Sequence, residues 1–174
     1  MQFRGKRLSK GRYYEQARVL LSISKRYGIP FLVNDHLDIA LAIKADGIHL
    51  GQNDLPFSAA RQLVPSHMLL GVSTHSAAQA AEAMKRGVSY IAIGPVFPTT
   101  TKETPEPVVG LDTVRKVKTL TGNVPLIAIG GITGENVADT MRTGVDGVAV
   151  ASAVVAAECP RESARLLKRK IIDI

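Results

Sequence analysis

Lys44-Ala45-Asp46-Gly47-Ile48-His49-Leu50 is the stretch that decides the fold: a helix-ending turn runs directly into a largely apolar strand. The junction recurs as Arg86-Gly87-Val88-Ser89 before Tyr90-Ile91-Ala92-Ile93, and as Thr143-Gly144-Val145-Asp146-Gly147 before Val148-Ala149-Val150. Each is a helix end, a short αβ turn and a buried strand. Repeats of this kind predict a parallel α/β fold with right-handed crossovers. Apolar runs without strict polar alternation suit parallel strands covered on both faces.

Outward from that junction, candidate strands fall at Gln2-Arg4, Pro30-Val33, Gly47-Leu50, Leu69-Val72, Tyr90-Ile93, Pro125-Ile129 and Gly147-Val150. Between them the sequence predicts helices. One runs from Gly11 to Tyr27 with Tyr13, Ala17, Leu20 and Leu21 on one face and Gly28 ending it. Another covers His75 to Arg86 and stops at Gly87. A third is capped by Thr133, continues to Thr143 and ends at Gly144. Pro160 opens the last helix, a position that suits proline. A closed (β/α)8 barrel needs eight strands and typically about 250 residues. This chain has 174 residues and seven candidate strands, the first beginning at Met1 itself. The expectation is one domain over residues 1–174, a TIM (β/α)8-type barrel with seven of its eight β/α units present.

Hydrophobic residues make up 45% of the chain and charged residues 21%, which describes a globular domain rather than a disordered one. No apolar run is long enough to span a bilayer, and no charged start leads into an apolar signal core. A cytoplasmic protein without a membrane partner is expected. The lone Cys159 excludes an internal disulfide framework and a zinc site built on several thiolates. The net charge is +7, drawn largely from Arg4, Lys6, Arg7, Lys10 and Arg12 and from Arg165, Lys168, Arg169 and Lys170. The second cluster reads as a solvated last helix. With no Trp and no interleaving of aromatic and basic residues, a nucleic-acid partner is not expected. Phosphorylated small molecules are.

In such barrels chemistry sits at the C-terminal strand ends. Asn34 and Asp35 follow the second strand, and Gln52 and Asp54 the third. Two carboxylates at one open face can hold a hard cation such as magnesium, which usually also bridges substrate phosphates. Arg4 and Lys6 follow the first strand and offer positive donors to phosphate oxygens. Ser73 and His75 follow the fourth strand. Gly94-Pro95-Val96-Phe97-Pro98-Thr99-Thr100-Thr101-Lys102 follows the fifth, with hydroxyls and a cation. Gly130-Gly131 follows the sixth and lets backbone N–H groups approach an anion, beside the helix start at Thr133. Ala151 and Ser152 follow the seventh. Two anionic groups are expected, one near the magnesium and Lys6, another near Gly131 and Ser152. Taken singly, Asp35 and Asp54 read first as caps of the helices that follow, Gly130-Gly131 as a tight turn, and His49 as a core histidine rather than a ligand. The joint pattern favours a site.

This ordered set resembles the thiamine-phosphate synthase family. The matching stretches are Gln2-Phe3-Arg4-Gly5-Lys6, Val33-Asn34-Asp35, Gly47-Ile48-His49-Leu50-Gly51-Gln52-Asn53-Asp54, Gly71-Val72-Ser73, Gly94 to Lys102, Ile129-Gly130-Gly131-Ile132 and Gly144-Val145-Asp146-Gly147-Val148. The resemblance lacks the family's first β/α unit, so an N-terminally truncated barrel is expected. It implies a transferase of thiamine biosynthesis that joins hydroxymethylpyrimidine diphosphate to hydroxyethylthiazole phosphate, giving thiamine phosphate and diphosphate by a dissociative, magnesium-assisted route. It implies that Gln2, Arg4, Lys6, Asn34, Ser73 and Lys102 contact the pyrimidine diphosphate, with Lys6, Ser73 and Lys102 the catalytic set. Asp35 and Asp54 would be metal-binding. Thr99, Thr100, Thr101, Gly131, Ala151 and Ser152 would be the phosphate-binding residues for the thiazole. It also suggests a homodimer. Two alternatives stay open: a thiazole tautomerase-like barrel with His75 as acid and base, and a truncated phosphate-binding barrel without catalysis.

Overall fold

A computed structural model describes residues 1–101 and 106–172. The chain divides into two compact units. The first contains Met1–Ser73 and Arg86–Ser89; the second contains Thr74–Lys85 and the chain from Tyr90 onward.

In the first unit, strands and helices alternate: β1 (Gln2–Phe3), α1 (Lys10–Arg26), β2 (Leu32–Asn34), α2 (Leu37–Ala42), β3 (Gly47–Leu50), α3 (Phe57–Leu63) and β4 (Leu69–Thr74). Each strand pairs in parallel with the next, so the register runs Leu32–Gly47–Leu69 in one row and Asn34–His49–Gly71 in another. Successive side chains along a strand point to opposite faces. Val33, Ile48, Leu50 and Leu70 therefore share a face, and they join Tyr13, Ala17, Leu21, Leu37, Ala40 and Ala60 of the helices in one buried apolar cluster. Asn34, His49, Gly71 and Ser73 occupy the other face.

Helix α1 starts where Ser9 accepts a hydrogen bond from the Arg12 N–H at 3.4 Å and ends before Gly28, whose φ is 63°. Its buried residues are Tyr13, Ala17, Leu21 and Ser24, a three-to-four-residue spacing. Leu20, expected on that face, is only half-buried. The Tyr13 hydroxyl donates to Phe3 O at 2.6 Å and accepts from the Asn34 N–H at 3.3 Å, so one buried phenol ties together the ends of β1 and β2. Burial pushes its pKa up to about 12.

The recurring junction has one geometry in all three copies. The residue just before the strand donates its N–H to the carbonyl at the start of the preceding strand and accepts that residue's N–H with its side chain. Asp46 does this with Phe31, Ser89 with Leu70, and Asp146 with Leu126. The side-chain bonds are 2.8, 2.9 and 2.7 Å long. An N–H that the strand ladder leaves over is thus satisfied inside each repeat.

The second unit contains α4 (Ala77–Lys85), β5 (Tyr90–Ile93), α5 (Gly110–Thr121), β6 (Leu126–Ile129), α6 (Val137–Met141), β7 (Gly147–Ala149), α7 (Ser152–Val155) and α8 (Pro160–Ile172). β5, β6 and β7 pair in parallel in that order. Ile91, Ile93, Leu126 and Ala128 are buried, as are Val114 and Val117 of α5. Pro160 is the first residue of α8, as the sequence predicts.

Several expected boundaries move. The helix expected from Thr133 begins at Val137 and is five residues long. Thr133 is not its cap: its hydroxyl accepts from the Glu135 N–H and its own N–H donates to Asn136 Oδ1, so both are spent on a turn. The helix expected from His75 begins at Ala77. The second strand starts two residues later than expected and runs through Asn34.

Candidate functional site

The expected residues of the first unit collect at the C-terminal ends of β1 to β4. Asp35 follows β2 with a φ of 65°, a left-handed conformation unusual for a residue with a side chain. Its N–H donates to His49 O at 3.0 Å. Neither acidic residue is a helix cap. The residue before α2 is His36 and the one before α3 is Pro56, and neither helix start has a side-chain cap. Asp54 instead accepts the Gly51 N–H at 2.6 Å and so holds its own turn.

The Asp54 carboxylate is a neighbour of the Asp35 carboxylate. Burial first, then the neighbouring Asp54 carboxylate, push the Asp35 pKa up to about 6, while Lys6 and Arg4 pull the other way. Two neighbouring carboxylates repel when both are ionised. Lys6 Nζ is 4.0 Å from Asp35 Oδ2, with its side chain 60% exposed and facing solvent. Arg4 is half-buried just past β1, and Gln2 is exposed at its start.

Among the described residues no cluster of three or more His, Cys, Asp or Glu side chains exists. Magnesium keeps several waters and takes one or two carboxylates plus phosphate oxygens. Asp35 and Asp54 with neighbouring cations fit that requirement.

Ser73 is gripped from two sides. Its hydroxyl lies 2.8 Å from His49 Nε2, and its carbonyl accepts from Gln52 Nε2 at 2.5 Å. His49 is buried, as the sequence reading expected of a core histidine, yet it touches a residue expected to act on substrate. Gln52 and Tyr13 make contacts of the same kind; the sequence places Gln52 at a strand end and Tyr13 on the buried face of its helix, without showing what either one holds. The available signal was His49 as the lone ring-nitrogen residue in an apolar strand.

In the second unit, the chain after β5 lies along the end of β6. Val96 N donates to Ile129 O and Phe97 N to Gly130 O. Gly130 and Gly131 have φ values of 97° and 66°. A Cβ on Gly130 would lie 2.6 Å from Pro95 Cα, and one on Gly131 would lie 2.5 Å from Pro98 O. Both positions therefore need glycine for space as well as for conformation. Gly131 and Ala151 each stand two residues past the register pair Ile129–Ala149, so they end adjacent strands at one level. Ser152 is the first residue of the four-residue α7. Thr99, Thr100 and Thr101 sit beyond the crossing, with Thr99 Oγ1 3.2 Å from Thr101 Oγ1. His75 bonds Gly94 O through Nδ1, and its N–H donates to Gln79 Oε1, which anchors β5's exit. Lys102 lies outside the described residues.

The family model described as thiamine monophosphate synthase matches residues 1–154. A thiamine-phosphate synthase of Chloroflexus aurantiacus is 44% identical over 168 residues, covering 97% of this chain and 77% of that protein. The solved thiamine phosphate pyrophosphorylase of Pyrococcus furiosus superposes with a TM-score of 0.90 at 37% identity, over 99% of this chain and 82% of that one. A 3-hexulose-6-phosphate synthase structure superposes at a TM-score of 0.70 with 16% identity, which speaks for the fold alone. The seven parallel strands among the described residues, with their helices, are thus of the TIM-barrel type.

Proposed function

This chain belongs to the thiamine monophosphate synthase family and is a transferase that makes thiamine phosphate; from that premise we propose that it joins hydroxymethylpyrimidine diphosphate to hydroxyethylthiazole phosphate. The observation that carries the reading is the paired Asp35 and Asp54 carboxylates beside Lys6 and Arg4. A pair of acids flanked by cations suits a diphosphate bound through a divalent ion. A tautomerase needs no such pair.

The bond from the pyrimidine methylene to the diphosphate oxygen breaks first, and its electron pair leaves with the diphosphate. The electron-rich pyrimidine stabilises the methylene cation. The thiazole nitrogen then donates its lone pair to form the new C–N bond. Magnesium held by Asp35 and Asp54 would neutralise charge on the departing oxygens. Arg4 and Lys6 add donors to the same oxygens. Gln2 and Asn34 orient the pyrimidine diphosphate. Ser73 donates its hydroxyl hydrogen where charge accumulates, an interaction stronger in the transition state than before it. Lys102 belongs to the same proposal. Thr99, Thr100, Thr101, Gly131, Ala151 and Ser152 form the thiazole phosphate subsite, the glycine exposing backbone N–H groups.

Calorimetry tests the metal and substrate assignment. Pyrimidine diphosphate should bind with magnesium and at least about tenfold more weakly in chelator, because the carboxylates then face the diphosphate unscreened. Equal binding with and without the metal would remove the carboxylate pair from the substrate site. A cytoplasmic setting and a homodimer complete the proposal; light scattering on the purified chain checks the second. Among the described residues no helix is long and apolar enough to cross a membrane.

A further inference from the structure

We propose that His49 is a positioning residue that fixes which way the Ser73 hydroxyl points, by donating an Nε2 hydrogen to Ser73 Oγ. The inference rests on the reading that Ser73 contacts the diphosphate substrate. Its geometry is independent of that reading.

The placement follows from the register. His49 stands between Asn34 and Gly71 in one row across three parallel strands. Gly71 contributes no side chain to that row, and the imidazole meets Ser73, two residues further along β4 and on the same face. The contact is 2.8 Å, and the histidine is 4% exposed. The strand on either side of His49 is held by apolar packing: Ile48 and Leu50 are 0% and 1% exposed. The ring therefore sits on a rigid element, the kind of support a catalytic hydroxyl needs. Ser73 is restrained independently through its carbonyl by Gln52.

The direction of the hydrogen bond decides the chemistry. A serine hydroxyl has one hydrogen and two lone pairs. If His49 Nε2 accepted, the hydrogen would be spent on the ring and only lone pairs would face the diphosphate, which repels them. If Nε2 donates, Ser73 keeps its hydrogen for a phosphate oxygen. Only the second arrangement makes Ser73 a donor to the leaving group. The imidazole does not touch substrate; it sets the serine.

Two measurements test this. Nitrogen-15 NMR of histidine-labelled protein, at a pH where the ring is neutral, reads the tautomer directly. The Nε2–H form is expected, and a resonance set assigning the hydrogen to Nδ1 alone overturns the proposal. It does so whether or not the protein turns over the substrates named above. The second measurement is a mutant cycle on thiamine phosphate formation. His49→Leu should lower kcat about tenfold or more with KM little changed, as for an interaction made chiefly in the transition state. His49→Gln, whose amide N–H reaches the same place, should restore most of that loss. In a Ser73→Ala background, His49→Leu should have almost no further effect, because the two act as one unit. Thermal melting of each variant identifies loss of folding. Equal damage from Gln and Leu in folded protein, or losses that multiply in the Ser73→Ala background, would overturn the proposal. Absence of synthase turnover in the unaltered protein would instead refute the reaction assignment and leave the NMR result to decide the hydrogen bond.

Discussion

Asp35 combines two costs that a residue chosen for stability alone would avoid. It holds a left-handed φ, worth about 1–2 kcal/mol for a residue with a side chain, and it faces a second carboxylate. Both features lie at the end of β2, where a divalent ion would join the pair. Asp35→Asn should therefore raise the melting temperature of the metal-free protein while lowering synthase turnover by about 10²-fold, the scale typical of lost charge stabilisation. Calorimetric melting in chelator and a turnover assay in magnesium check the two halves. A variant that melts lower and turns over normally would show Asp35 to be an ordinary structural acid. Asp54 is tied to the Gly51 N–H, so Asp54→Asn tests the same idea with a smaller change in its turn.

The β/α junctions show what the elements contribute. Asp46, Ser89 and Asp146 each pair with the backbone at the start of the preceding strand through one N–H and one side-chain oxygen. Ser89→Ala removes the side-chain partner of the Leu70 N–H and should cost about 1 kcal/mol in chemical denaturation, the usual net worth of such a bond. Asp146 behaves the same way but titrates. Its pKa is lowered by the Leu126 N–H first and by Lys118 second. A depressed carboxylate stabilises the fold above its unfolded-state pKa, and that contribution disappears as pH falls through the folded value. Melting should thus fall more steeply below about pH 4 in the parent protein than in Asp146→Asn, and parallel curves would refute the assignment. The junction that made the fold legible in sequence was visible through its glycines and apolar runs. Its hydrogen-bonded clamp was not, because Asp and Ser before a strand read simply as turn residues. Thr133 misled for the reverse reason: the residue type suits a cap, but Asn136 took the Thr133 N–H, and the turn closed before the helix began. Gly131 was legible as part of a tight turn, while the crossing that makes it obligatory is a tertiary fact. Gly131→Ala should destabilise the protein by at least about 1–2 kcal/mol from backbone conformation alone. It should also raise KM for the thiazole phosphate more than for the pyrimidine substrate, which steady-state kinetics with each substrate varied will show.

At the scale of the whole molecule, the seven parallel strands and the strand-end residues were readable in order along the chain, since period and punctuation are local properties. His49 was not readable as a site residue: a buried histidine in an apolar strand looks like any other until its register partner proves to be glycine and its neighbour Ser73. The division into two compact units also left no mark in composition. Family membership assigns thiamine phosphate synthesis to the chain, and the Asp35–Asp54 pair with Arg4 and Lys6 is the basis of the proposal that a divalent metal assists departure of the diphosphate. The most direct test incubates the purified protein with hydroxymethylpyrimidine diphosphate and hydroxyethylthiazole phosphate, with magnesium or with chelator, and follows thiamine phosphate and diphosphate together. The account predicts both products in equal amounts with magnesium, and neither in chelator. Equal rates under the two conditions, or diphosphate released without thiamine phosphate, would contradict it.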